Sequence, residues 1–191
     1  MSQTSDAGRF SDPDIELMLR FQAGDDGAFE QLVLKHQKGV LNVVYRYLGD
    51  RSGAEDAAQE VFIKVYRARR SYQPQAKFST WLYRITVNHC LNEIRSRRSA
   101  PAGPAPIEEM IEEPVGHDPG AGLNAADLRR AVKEAIDSLP DNQRVAVLLA
   151  RFEELSYEEI AEAMQVSLEA VKSLLFRAKE NLKARLGKYV R

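Results

Sequence analysis

Apolar residues along this chain recur three and four positions apart and nowhere alternate with polar ones at period two, so the pattern predicts an all-α protein. After a polar stretch at 1–11, expected to be disordered, Asp12-Pro13 supplies an N-cap and a proline at the first helical position. The helix that follows offers Ile15, Leu17, Met18, Leu19 and Phe21 and ends at Gly24. A longer helix over 27–48 has Phe29, Leu32, Val33, Val40, Leu41, Val44, Tyr45 and Leu48 as its inner face, with Lys38-Gly39 as a point of bending. A third, 53–70, shows the stripe Ala57, Ala58, Val61, Phe62, Val65, and a fourth spans 78–98. The period then lapses over 99–126. It resumes in helices at 127–138, at 141–153 after Leu139-Pro140, and in a pair within 156–186.

That last pair is the most structured signal. Ser156 and Glu159 have the spacing of a capping box. Tyr157, Ile160, Ala161 and Met164 give one apolar face, Gln165-Val166-Ser167 breaks the period, and Ser167 caps the next helix. The turn places Gln165 where glycine is common, so a left-handed residue is expected there at some cost. Val171, Leu174 and Leu175 point inward, while Lys172, Ser173, Arg177 and Lys179 point out. A helix–turn–helix with a basic second helix fits a DNA major groove. A plain amphipathic pair with a solvated charged face is the alternative reading of these residues alone.

Charge changes the picture through its distribution. The chain of 191 residues has a net charge of −1, composed of +3 over 1–98, −5 over 99–126 and +1 over 127–191. Nucleic-acid affinity would have to come from local patches. The 99–126 stretch holds five of the eight prolines and the acids Glu108, Glu109, Glu112 and Glu113, which predicts a flexible acidic linker between two small helical domains, 12–98 and 127–191. The single cysteine, Cys90, excludes an internal disulfide framework and is expected to be inert. With no apolar run of membrane length and no leader, a cytoplasmic protein is expected. His36, His89 and His117 are scattered, and no metal motif or phosphate-cradling glycine loop is present, so neither cofactor, metal nor enzymatic chemistry is expected.

Two further stretches carry candidate chemistry. Tyr72, Phe78, Trp81 and Tyr83 crowd a loop-to-helix junction and are followed by Arg84, Asn88, Asn92 and Arg95. Aromatics stack on unpaired bases, amides read base edges and arginines hold phosphates, a mixture suited to single-stranded DNA. The competing reading makes Trp81, Leu82, Ile85 and Leu91 core. The Asp56, Gln59 and Glu60 cluster is by charge alone a solvated surface.

The segments DAAQEVFIKVYR (56–67), FSTWLYRITVNHCLNEIR (78–95), the Leu139-Pro140 turn and FEELSYEEIAEAMQVSLEAVKSLLFRAKENL (152–182), in this order, resemble a bacterial RNA polymerase sigma factor of the extracytoplasmic-function group of the sigma-70 family. The resemblance covers 14–186. It implies an initiation factor with core RNA polymerase and promoter DNA as partners and no small-molecule substrate. Asp56, Gln59, Glu60 and Phe62 would dock on the polymerase. Tyr72, Phe78, Trp81, Tyr83, Arg84, Asn88, Asn92 and Arg95 would capture and melt the −10 element. Lys172, Ser173, Phe176, Arg177 and Lys179, on a four-helix C-terminal domain, would read the −35 element. Where members of the family carry arginine, Lys172 makes a point contact instead of a fork, leaving the base read there open. The linker would thread the polymerase, and an anti-sigma factor, often membrane-bound, would hold the protein inactive. A free-standing helix–turn–helix regulator is the alternative, but it leaves the Trp81 cluster and the 56–67 helix without a role.

Overall fold

The computed structural model describes residues 12–99 and 122–187; the expected disordered N-terminus and most of the acidic linker lie outside the described residues. Helices α1 (Pro13–Gln22), α2 (Asp26–Leu48), α3 (Arg51–Ala68) and α4 (Phe78–Ser99) form an N-terminal unit, with a 3-10 turn over Arg69–Ser71. Helices α5 (Gly122–Asp137), α6 (Asp141–Phe152), α7 (Tyr157–Met164) and α8 (Leu168–Leu186) form the second. Among the described residues there is no strand, and no helix is long and apolar enough to cross a membrane.

Local chemistry sets the helix ends. Asp12, Asp25 and Asp50 each accept a backbone N–H in the first turn of α1, α2 and α3, and Gly49 closes α2 in the left-handed region at φ 81°. Asp12 does double duty: Oδ1 accepts from Asp14 N and Oδ2 from Phe78 N, both at 2.9 Å. One carboxylate therefore caps α1 and α4, which has no capping side chain of its own at Lys77. Burial supplies most of the stabilisation. Met18, Phe21, Leu32, Val40, Val61, Phe78 and Leu82 are fully enclosed or nearly so, each worth about 1.5–3 kcal/mol relative to exposure. Buried Asp14 is compensated by Lys35 Nζ at 2.6 Å and His36 Nε2 at 2.9 Å.

The two units share one core. Val145, Leu148 and Leu149 of α6 and Ile160, Ala161 and Ala163 of α7 belong to the same buried cluster as the residues of α1–α4. Helix α7 packs along α4 and α6 against α2. This explains why Val43 and Tyr47, absent from the expected inner face, are buried: α2 has a second apolar side because α6 covers it. Arg144 of α6 donates to the Arg46 carbonyl at 2.8 Å and lies over the Tyr47 ring, 5.2 Å from its centroid.

Several expectations are revised. Helix α5 begins at Gly122, so the linker expected to run to 126 is helical over its last five residues. The apolar period places Leu128 and Phe152 on the inner faces of α5 and α6, whereas both are exposed; the Arg46 guanidinium lies over the Phe152 ring, 3.9 Å from the ring centroid. Tyr157 and Leu19 are also exposed. Helix α2 passes through Gly39 as one element.

Candidate nucleic-acid interface

The helix–turn–helix follows its caps. Ser156 Oγ accepts from Glu159 N at 3.2 Å and the Glu159 carboxylate accepts from Ser156 N at 2.8 Å, completing the reciprocal box. Gln165 does adopt the left-handed conformation (φ 54°, ψ 46°), and Val166 N reaches back to Ala161 O at 3.0 Å to close α7. Ser167 Oγ then accepts from Ala170 N at 3.1 Å and opens α8. Val171 and Ala178 face inward, and Asn181 Nδ2 donates to Gln143 Oε1 at 2.9 Å, fixing α8 on α6. Lys172, Ser173, Phe176, Arg177 and Lys179 consequently all face solvent, Phe176 at 66 % exposure. The surface is cationic with one apolar side chain at its centre, suited to phosphates and a thymine methyl.

The 72–95 segment divides in two. Tyr72, Phe78 and Tyr83, placed together at the sequence level as single-strand contacts, are buried at 4, 0 and 6 % exposure. They are core residues, because α1, α2 and α7 close over them. Phe78 meets His36 at 5.3 Å between centroids. Burial, with the charges of Asp12 and Asp14, pushes the Tyr72 phenol up to about 12. Trp81 is the aromatic that remains partly open; Tyr72 meets it edge-on at 4.9 Å and Phe78 tilts against it at 5.8 Å. Trp81, Arg84, Asn88, Asn92 and Arg95 fall on one face of α4 at helical spacing, the last three exposed. A small cleft beside them is lined by Gln73, Gln75, Ala76, Thr80, Trp81, Arg84 and Glu162. Gln22 Nε2 donates to the Arg69 carbonyl at 2.9 Å and the Tyr72 carbonyl at 3.3 Å, pinning the start of the loop.

On α3, Asp56, Gln59 and Glu60 share an exposed face, but Phe62 does not join them: it turns into the core at 9 % exposure. The apolar group on that face is Ile63, 39 % exposed and one turn beyond Gln59 and Glu60. The spacing 56, 59, 60, 63 is legible in the sequence, but an apolar residue beside the stripe Val61, Phe62, Val65 carries no local sign that it faces solvent. Behind the face, Lys64 Nζ donates to His89 Nδ1 at 2.6 Å, and burial together with the Lys64 charge holds the imidazole below its ordinary value. Cys90 is buried and its thiol is pushed up to about 12 by desolvation, consistent with an inert group. Among the described residues, no group of His, Cys, Asp and Glu could hold a metal.

Comparison with known proteins finds two family models that match this chain. The family model for Sigma-70 region 2 matches residues 32–100 and that for Sigma-70, region 4 matches residues 129–182. The RNA polymerase sigma-H factor of Pseudomonas aeruginosa is 37 % identical over 174 residues, covering 87 % of this chain and 90 % of that one. The ECF RNA polymerase sigma-E factor of Escherichia coli K12 is 37 % identical over 184 residues, covering 92 % and 95 %. Among solved structures, CnrH in complex with the cytosolic domain of CnrY superposes with a TM-score of 0.69 at 22 % identity, covering 93 % of this chain and 99 % of that one. The sigma factor RpoE of Bartonella quintana, in complex with the anti-sigma factor NepR, gives 0.66 at 22 %, covering 85 % and 98 %.

Proposed function

This chain belongs to the extracytoplasmic-function RNA polymerase sigma factors, initiation factors and not enzymes that direct polymerase to promoters, and on that footing we propose how its surfaces divide the work. Helix α8 reads the −35 element as duplex through Lys172, Ser173, Phe176, Arg177 and Lys179. The α4 face reads the −10 element as a melted strand, with Trp81 stacking on an unpaired base, Arg84 and Arg95 on phosphates, and Asn88 and Asn92 on base edges. Tyr72, Phe78 and Tyr83 act behind that face, holding Trp81 in place. Asp56, Gln59, Glu60 and Ile63 dock on core polymerase, with Phe62 setting the pitch of α3 from beneath.

The observation that carries this reading is the pair of separate solvent-facing surfaces, one cationic on α8 and one aromatic–amide–arginine on α4. A duplex-only regulator needs the first and leaves the second unused. Melting requires compensation for unstacking, a few kcal/mol per flipped base, and Trp81 with the adjoining cleft offers a stacking partner. The remaining binding energy comes from polymerase, which accords with the modest basicity of the chain.

Run-off transcription with matched core polymerase tests the reading. Promoter-specific product that depends on this chain is the expected result; a folded preparation that binds core and starts no transcript would refute it. We also propose an anti-sigma partner, by extension from the Bartonella complex, tethered at the membrane in its natural setting. Recovery of such a protein with the full chain from native membranes is the corresponding check.

A further inference from the structure

Helix α1 grips both ends of the loop that adjoins Trp81. At its start, Asp12 Oδ2 accepts from Phe78 N at 2.9 Å, while Oδ1 caps α1 itself through Asp14 N at 2.9 Å. At its last residue, Gln22 Nε2 donates to the carbonyls of Arg69 at 2.9 Å and Tyr72 at 3.3 Å, where the chain leaves the 3-10 turn. A helix about 15 Å long separates the two grips. It is firmly seated: Met18 and Phe21 are fully buried, and Asp14 meets Lys35 Nζ at 2.6 Å and His36 Nε2 at 2.9 Å on α2. Between the buried rings of Tyr72 and Phe78, residues 73–77 are exposed or half-buried, and Gln73, Gln75 and Ala76 line the cleft with Trp81 and Arg84. A short segment with little packing of its own takes its shape from where its ends are held. Helix α1 precedes residues 32–100, the stretch matched by the region 2 model, so a share in reading DNA does not follow from that match.

We propose that α1 is a brace for −10 recognition, with Asp12 and Gln22 as positioning residues that fix the 73–77 loop against Trp81 and so set how sharply the −10 bases are discriminated. Both act through the backbone rather than on DNA. Asp12 works through the Phe78 N–H, three residues before Trp81 on α4. Lys77 offers no side-chain acceptor there, so without Asp12 the first turn of α4 loses its cap and Trp81 its fixed bearing. Gln22 works at the opposite end, where the chain turns toward Gln73 and the cleft. Telling one base from another needs groups held within about 0.5 Å, and the two grips supply that constraint from outside the loop. Their chemistry differs: Asp12 uses two acceptor oxygens, whereas Gln22 uses a donor. The inference rests on the assignment of the α4 face and its cleft to the melted −10 strand.

The test uses the full chain assembled with matched core polymerase, the promoter that yields the run-off product, and single-base variants of its −10 and −35 elements. Discrimination is the ratio of product from the native element to product from the variant that the native chain uses least. Asp12→Asn leaves one carbonyl oxygen, enough to cap α1 but not α4 as well, because the amide nitrogen sets a donor against a donor. Gln22→Glu keeps the shape and turns the donor into an acceptor facing carbonyls. Each should lower −10 discrimination about tenfold, the effect of one well-made base contact, with −35 discrimination unchanged. A merely structural defect reduces the amount of active factor, scales product from both templates alike and leaves the ratio where it was. Unchanged −10 discrimination therefore overturns the brace, and so does an equal fall at −10 and −35. Loss of core assembly in a variant overturns the positioning role of that residue, since the fold and not the loop would depend on it. Trp81→Ala separates the brace from the assignment beneath it. If that variant keeps full −10 discrimination, the α4 face is not the reader; if it loses discrimination while Asp12→Asn and Gln22→Glu keep theirs, the brace alone fails.

Discussion

Tyr72 meets Phe78 and Trp81 edge to face and Phe78 tilts against Trp81, yet the three rings stand in different relations to solvent and so should answer differently to substitution. Phe78 is fully enclosed, and Phe78→Ala should cost about 3–5 kcal/mol of stability, read from the midpoint of a urea titration. Trp81→Ala removes a ring that is only partly packed. It should spare assembly with core polymerase and duplex binding while reducing promoter opening, measured by permanganate reactivity of thymines in the −10 region. Equal loss of assembly and opening would make Trp81 a core residue and nothing more. Tyr72 carries a buried hydroxyl with no hydrogen-bond partner among the described residues, a group that costs on the order of 1 kcal/mol or more where it sits. Tyr72→Phe should therefore raise the melting temperature. The aromatic cluster was legible in the sequence as a cluster. Which ring stays open was not, because that depends on α7 and on Asp12, which reach it from 66 or more residues away.

At the scale of the helix, the caps and periods carried most of the information. The capping box at Ser156, the left-handed Gln165 and the Ser167 cap are all local chemistry, and each stands where the residue types require it. The face of α8 follows from that register, so Lys172→Ala should cost about 1–3 kcal/mol of −35 binding if it contacts a base, with −10 opening unaffected, as read by promoter competition. Pairing between helices was less legible. Nothing in the sequence joins Lys64 of α3 to His89 of α4, 25 residues apart. That pair has a consequence for pH. The folded chain holds His89 below its ordinary pKa of about 6.5, whereas the unfolded chain does not. As pH falls below about 6.5 the unfolded state takes up a proton that the folded state resists, so stability should fall with acidification. Substitution of His89 by Asn should flatten that part of a melting-temperature profile; an unaltered slope would place the titration elsewhere.

At the scale of the molecule, the sequence reads as two units on a linker, and the pattern gives no hint that they share a core, because an apolar face does not say which helix covers it. The structure buries Tyr47 beneath Arg144 and bonds Tyr83 to Glu153, so removing α6 and α7 would uncover parts of α2 and α4. The second unit in turn has little of its own: a minor cluster of Leu139, Val147 and Ala178 lies apart from the common core. Independent unfolding of either half is thus penalised by what it exposes in the other, and the free chain should melt in one transition. Trp81 is the only tryptophan and reports on α4, while far-UV ellipticity reports on helices of both units. The two curves should coincide in the native sequence; an early loss of ellipticity at constant fluorescence would show that the halves unfold separately. Gly39→Ala sets a β-carbon 2.7 Å from the Tyr83 hydroxyl that donates to Glu153, so with it the curves should come apart, ellipticity first, since the C-terminal unit loses a contact with the helices it packs on.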